Sequence, residues 1–184
     1  DNRVQSTLIF TLTFTLISIT LELIFGLFLA LVMNKPIKGR ALVRTFSLIP
    51  WAIPTSVAAL MWSYLYNGSS GIVSSIFANI GLITSPASML NSSFNSLWAI
   101  IIADVWKTTP YMALLLLGGL QIIPKSLYES SSLEGATKFQ QFRYITLPLL
   151  KPSIFVALLF RTLDAFRVFD LIYVLTGGGP GGTT

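Results

Sequence analysis

Charged residues recur every three positions near the end of the sequence: Arg161, Asp164, Arg167 and Asp170. Residues three apart share a face of a helix, so alternating signs at this spacing can pair. Asp104 and Lys107 repeat the interval, and Glu22 stands alone. All of them lie in apolar runs, where an unpaired charge costs about 2.5–3.5 kcal/mol even on forgiving insertion scales. Charges kept there serve one of two ends: they line a polar path, or they form a ladder that ties helices together. Both readings stand for the Arg161 series. Asp104 and Lys107 are placed to pair with each other, as pathway or as structure, and Glu22 has three candidate partners, Arg44, Lys107 and Arg161.

The inventory argues against chemistry within the chain. There is no His and no Cys, which removes disulfides, thiol chemistry and most zinc sites. The Ser-containing "YNGSSG" does not fit Gly-x-Ser-x-Gly, and no two carboxylates pair closely in sequence. A phosphate-binding Gly-x-x-x-x-Gly-Lys-Ser/Thr loop is absent, and "GGGPGG" has no following Lys. No cofactor or metal is expected in this chain.

The elements that carry these charges follow from composition. Of 184 residues, 53% are hydrophobic and 10% charged, with a mean hydropathy of +0.75. Soluble domains carry about 25% charged residues, so an all-α membrane protein is the expectation. The net charge of +5 does not indicate nucleic acid, because the twelve Lys and Arg form no stripe with interleaved aromatics. Four stretches are long enough to cross a bilayer: 8–33, 45–66, 97–120 and 149–175. Pro50 and Pro54 fall in the second and Pro110 in the third, where they kink helices as a gate or as static bends.

Lys35, Lys38, Arg40 and Arg44 fill the first gap, and Lys125, Lys138 and Arg143 fill the third, with Lys151 just beyond. Positions 67–96 hold no Lys or Arg. Positively charged loops stay in the cytoplasm, so gaps one and three are expected inside and gap two outside, with both ends of the chain outside. The opening "DNRVQSTLIF" has no start Met and no signal-peptide pattern. A span upstream, and one beyond the tail "TGGGPGGTT", are therefore expected, about six in all. The outer gap holds "GIVSSIFANIGLI", with Ile72, Ile76, Phe77, Ile80 and Ile83 near helical spacing, read as an interfacial helix. Trp62, Tyr64 and Tyr66 are read as an aromatic belt.

The third gap, 121–148, is the polar exception. In "PKSLYESSSLEGATKFQQFRYITLP", Ser126 and Glu129 match a capping box. A helix over 127–135, a break at Gly135 and a second short helix to Tyr144 are expected. The apolar positions Leu127, Tyr128, Leu133 and Ala136 are too few for a free-standing core, so such short helices need a docking partner.

This stretch resembles the cytoplasmic loop of permease subunits of ABC importers: Glu-Ala-Ala, three residues, Gly, nine residues, Ile, one residue, Leu-Pro. Here Glu129, Ser130, Ser131, Gly135, Ile145, Leu147 and Pro148 stand at those positions, with serines replacing both alanines. "LIPWAIPTSVAALMWSYLYNGSSG" and "FRVFDLIYVLTGGGPGGTT" are similar to the carbohydrate-uptake branch, the maltose-, trehalose- and glycerol-phosphate-type permeases. The resemblance implies the helical bundle of a type I importer permease in a prokaryotic inner membrane. It implies an ATPase-docking set of Glu129, Ser130, Ser131, Gly135, Ala136, Ile145, Leu147 and Pro148. Glu129 either caps its helix or pairs with a base on the ATPase; Gly135 lets the chain bend; Pro148 ends the loop where the next span begins. It implies partners: an ATPase dimer, a second and often different permease subunit, and an extracytoplasmic sugar-binding protein, all around a lipid-embedded bundle. The substrate path is then expected at Asp104, Lys107, Arg161, Asp164 and Arg167. An ion-coupled secondary transporter is the alternative; it shares the charged helices but has no use for the docking loop. An intramembrane enzyme is the remaining reading, and the missing His and Cys leave it only carboxylates and serines.

Overall fold

The structure, a computed structural model, describes residues 2–36 and 38–177; the glycine-rich tail beyond, 178–184, lies outside the described residues. Three described helices are long and apolar enough to cross a membrane. The first, α1, is Asn2–Asn34. The second span is broken into α2, Arg40–Ala52, and α3, Thr55–Leu65. Short helices α4, Ile72–Asn79, and α5, Ser88–Asn91, lead into α6, Ser93–Ile122. The polar hairpin is α7, Lys125–Leu133, and α8, Lys138–Gln141. A π-helical turn, Phe142–Thr146, joins α8 to α9, Leu147–Phe166, and α10, Asp170–Thr176, follows.

α6 is the central strut. α1 lies along it, α9 crosses it, and α2 and α5 lean on its flanks. At Gly119 an added Cβ would run into the side chain of Ser153 and meet Leu150 Cδ1 at 2.8 Å, so glycine lets α6 and α9 approach closely. Two apolar clusters form the core. One joins Phe14, Trp62, Tyr66, Ile100, Ile101 and Leu171; the other joins Ala30, Met33, Met112, Leu116, Leu150 and Ala157. On α1, α6 and α9 the buried charges Glu22, Asp104 and Arg161 join this interior. The outer faces are oily: Leu8, Leu12 and Leu16 on α1 and Phe155, Leu159 and Leu163 on α9 are exposed, as lipid-facing surfaces require.

Several expectations need correction. The second stretch, 45–66, is not one kinked helix but two, turned by 88° at a break. Ile53 precedes Pro54 and is driven out of the helical region to φ −71°, ψ 132°. Pro50, by contrast, stays inside α2. The fourth stretch, 149–175, ends as a straight helix at Phe166. The amides of Arg167 and Val168 bond back to Asp164 and Ala165, a tightening to three-residue turns that closes α9. α10 then packs against α3, burying Leu171 and Leu175.

The aromatic belt also divides. Tyr64 is exposed, but Trp62 and Tyr66 belong to the core, and the Tyr66 hydroxyl donates to the Ala99 carbonyl at 3.1 Å. In the hairpin, Ser126 caps nothing. Pro124, at φ −61°, occupies the cap position and α7 begins at Lys125, leaving Ser126 inside the helix. The capping box is formed instead by Thr137 and Gln140: the Gln140 amide donates to Thr137 Oγ1 at 3.3 Å, and the Thr137 amide donates to Gln140 Oε1 at 2.7 Å. Pro148 stands in the first turn of α9, where the next helix was expected to begin, but no break separates that helix from the hairpin. Helical chain runs unbroken from Lys138 to Phe166 through the π turn.

Candidate functional site

The deepest polar group is a cluster of side chains from three helices. Arg161 of α9 donates from Nε to Glu22 Oε2 at 2.5 Å and from Nη2 to Glu22 Oε1 at 2.8 Å. The same Nη2 donates to Asp104 Oδ2. The Ser18 hydroxyl, one turn before Glu22 on α1, lies 2.6 Å from Asp104 Oδ2 and 3.1 Å from Glu22 Oε1. The Thr108 hydroxyl lies 2.8 Å from Glu22 Oε1 and 2.6 Å from the Asp104 carbonyl. Arg161, Glu22 and Asp104 are 1%, 0% and 2% exposed, so salt screens the pairing much less than it screens a surface pair.

Sequence spacing misplaced these partners. Arg161 pairs across to α1 and α6 rather than along its own helix, so the expected alternating ladder does not form. Of the three partners open to Glu22, the structure selects Arg161; Arg44 donates to the Met33 carbonyl instead. Lys107 does not close an ion pair with Asp104. Its Nζ donates to the carbonyls of Ile53 at 2.8 Å and Trp51 at 3.3 Å. Those carbonyls belong to the broken end of the second span, where helical partners have run out. A cation there also suits the negative end of the α2 dipole.

The ion cluster forms one wall of a cavity of about 270 Å³ between the α2–α3 break, α6 and the α9–α10 break. Asp104, Lys107, Arg161, Asp164 and Arg167 all line it, joined by Asp170, so acids and bases are equal in number. Asp164, Arg167 and Asp170 are exposed on its rim. Trp51 and Phe169 supply aromatic faces, and Thr55 and Thr108 supply hydroxyls. Trp51 is held by stacking on Tyr111, with ring centroids 5.6 Å apart. Such a lining can hydrogen-bond a polyol at several points and stack on its apolar faces. Trp51, Phe169, Ser18 and Thr108 were not singled out from sequence. The spacings Ser18–Glu22 and Asp104–Thr108, four apart, were the available signal for two of them.

The hairpin is a second site, at the end of the bundle where Asn34, Leu120 and Lys138 line one pocket. Gly135 turns the chain at φ +82°, a conformation that disfavours a side chain. Glu129, Ser130, Gly135 and Pro148 are exposed; Ser131, Ala136, Ile145 and Leu147 are half-buried. Leu133, 90% exposed, and Phe139, 73% exposed, add an apolar face on either side of the turn. Phe139, and Gln141, which is buried beneath the hairpin, were not singled out from sequence.

Residues 22–184 match the family model described as "Binding-protein-dependent transport system inner membrane component". A trehalose/maltose transport system permease protein of Thermococcus litoralis is 53% identical over 174 residues, 95% of this chain and 58% of its own length. A trehalose transport system permease protein of Mycobacterium tuberculosis is 46% identical over 168 residues, 91% of this chain and 53% of its own length. Among solved structures, a bacterial ABC transporter involved in the import of the acidic polysaccharide alginate superimposes with a TM-score of 0.84 at 27% identity. It covers 100% of this chain and 63% of that one. The chain thus spans little more than half the length of the curated relatives it matches. With its all-helical membrane fold, its cavity between broken spans and its apolar-tipped hairpin, the chain belongs to the inner-membrane permease components of binding-protein-dependent ABC transport systems.

Proposed function

We propose that this chain forms part of the membrane-spanning path of an ATP-driven importer of a sugar or oligosaccharide, and that residues 129–148 couple that path to a separate cytoplasmic ATPase dimer. ATP and Mg are held by the ATPases and not by this chain. A second permease subunit completes the pathway, and a sugar-binding protein delivers substrate from outside. The hairpin lies on the cytoplasmic side of the inner membrane, as its basic flanks direct.

One observation carries the reading. The hairpin exposes Leu133 and Phe139 at one end of the bundle, and the helical chain that begins in it at Lys138 runs on to Arg161 at the cavity wall. The polyhydroxyl character of the path is supported by Trp51, Phe169, Thr55 and a lining with equal numbers of acids and bases. The ion-coupled alternative gives the exposed hairpin no role.

The test is association. Gly135→Trp and Glu129→Lys are expected to release the ATPase in pull-down and to abolish uptake of radiolabelled trehalose, the sugar named for two relatives. ATPase capture at the wild-type level by either variant would remove the docking reading.

A further inference from the structure

Force delivered to α7 has two routes into the bundle. One is covalent, through the turn at residues 134–137, where Gly135 sits at φ +82°. A glycine turn is compliant, because it restricts the backbone least. The other route is Gln141. The residue is 3% exposed, and its Nε2 reaches across the hairpin to the Tyr128 carbonyl at 3.1 Å, Ser131 Oγ at 2.9 Å and Ser132 Oγ at 2.8 Å. Both serine hydroxyls also donate to the Tyr128 carbonyl, at 3.0 and 2.7 Å, which leaves their lone pairs free to accept from the amide. Lys138 Nζ donates to Gln141 Oε1 at 3.3 Å and orients the amide with its NH₂ toward α7. A second strap lies beside it, where the Tyr128 hydroxyl bonds Thr146 Oγ1 at 2.8 Å.

We propose that Gln141 is the positioning residue that joins the two arms of the hairpin into one rigid lever. Docked α7 then drives the helix Lys138–Phe166 directly instead of through the glycine turn. That helix is 29 residues, about 43 Å at about 1.5 Å per residue, and Arg161 near its far end is clamped to Glu22 and Asp104. The lever therefore ends on the wall of the cavity. The same geometry accounts for Ser131 standing where the family motif has alanine: its hydroxyl is an acceptor for the amide. This inference rests on the docking reading above.

The experiment uses the assembled transporter, both membrane subunits with their ATPases, in nanodiscs. This chain has no Cys, so Ser126→Cys on α7 and Leu149→Cys on α9 can carry spin labels for a distance measurement. With Gln141 present, one narrow distance distribution is expected, unchanged when AMP-PNP–Mg is added. Gln141→Met keeps the shape and removes both donors. It is expected to keep the ATPase bound, to widen the distribution at least about twofold, and to lower binding-protein-stimulated ATP turnover about tenfold, the scale of the bonds lost. Should Gln141→Met not assemble, Ser131→Ala with Ser132→Ala removes two of the three acceptors and is expected to widen the distribution part of the way. A distribution in both of these variants as narrow as that of the wild type overturns the proposal, as does loss of the ATPase without widening. If Gly135→Trp also retains the ATPase, the docking reading fails. If Gly135→Trp releases it while Gln141→Met stays narrow, only the lever fails.

Discussion

Arg161 and Glu22, separated by 139 residues in sequence, meet through two hydrogen bonds of 2.5 and 2.8 Å, both residues almost wholly buried within the bundle. The pair binds α9 to α1, and the bond from Arg161 to Asp104 adds α6. The three long helices of the bundle are thus pinned at one depth, beside the cavity.

Breaking this pin from one side leaves charge buried without a partner. Arg161→Met is expected to destabilise the assembled protein by about 3–5 kcal/mol. Adding Glu22→Gln and Asp104→Asn to the same chain is expected to recover most of that loss, because no member of the cluster then carries a charge. Thermal unfolding in one detergent, read across the single and triple variants, checks the sign; a triple variant weaker than the single one contradicts the assignment.

Lys107 holds the break in the second span through two backbone carbonyls. Charge-assisted bonds of this kind contribute about 1.5–3 kcal/mol. Lys107→Met is expected to loosen the α2–α3 break, so a cysteine placed at Thr55 reacts faster with a water-soluble maleimide, while Lys107→Arg keeps the slow rate. Equal rates in all three proteins would show that Lys107 does not restrain the break.

The turn at Gly135 ranks substitutions by their tolerance of positive φ. For most side chains the left-handed region costs about 1–2 kcal/mol, and asparagine suffers least. ATPase association in pull-down is expected to fall in the order Gly, Asn, Ala, Val. An order that follows side-chain volume alone, with Ala ahead of Asn, would point to crowding instead of backbone strain.

Thr137 and Ser126 separate the two capping candidates. Thr137→Ala is expected to cost about 1 kcal/mol of local stability, read as roughly fivefold faster hydrogen exchange at the Gln140 amide. Ser126→Ala should leave exchange in α7 unchanged, since its hydroxyl serves no cap. Faster exchange throughout α7 in Ser126→Ala would restore the cap that sequence spacing suggested.

Much of the architecture was legible because it depends on local properties. A run of about 20 apolar residues must span a bilayer wherever it lies, so residues 8–33 and 97–120 were recognisable as spans. Gly135 announced the bend of the hairpin because only its own backbone must take positive φ. Three Ser/Thr-x-x-Glu/Gln patterns lay in the hairpin, at Ser126, Ser131 and Thr137, and only the last caps: Pro124 had already started α7 upstream of both serines, while Thr137 emerges from a turn with free amides to bind. Pro54 marked a bend, but its 88° angle is set by what α2 and α3 pack against. No Gly or Pro marked the end of α9 at Phe166.

The sequence alone determined which residues had to leave water, where the chain had to turn, and that buried charges needed partners. Which charge met which was decided only by tertiary structure. An ion pair closes over a few ångströms, and the rotation and depth of each helix are set by packing along its whole length, as at Gly119 against Ser153. Regular spacing placed Arg161 beside Asp164, but a guanidinium in the core bonds the carboxylates that packing brings to it, and those came from α1 and α6.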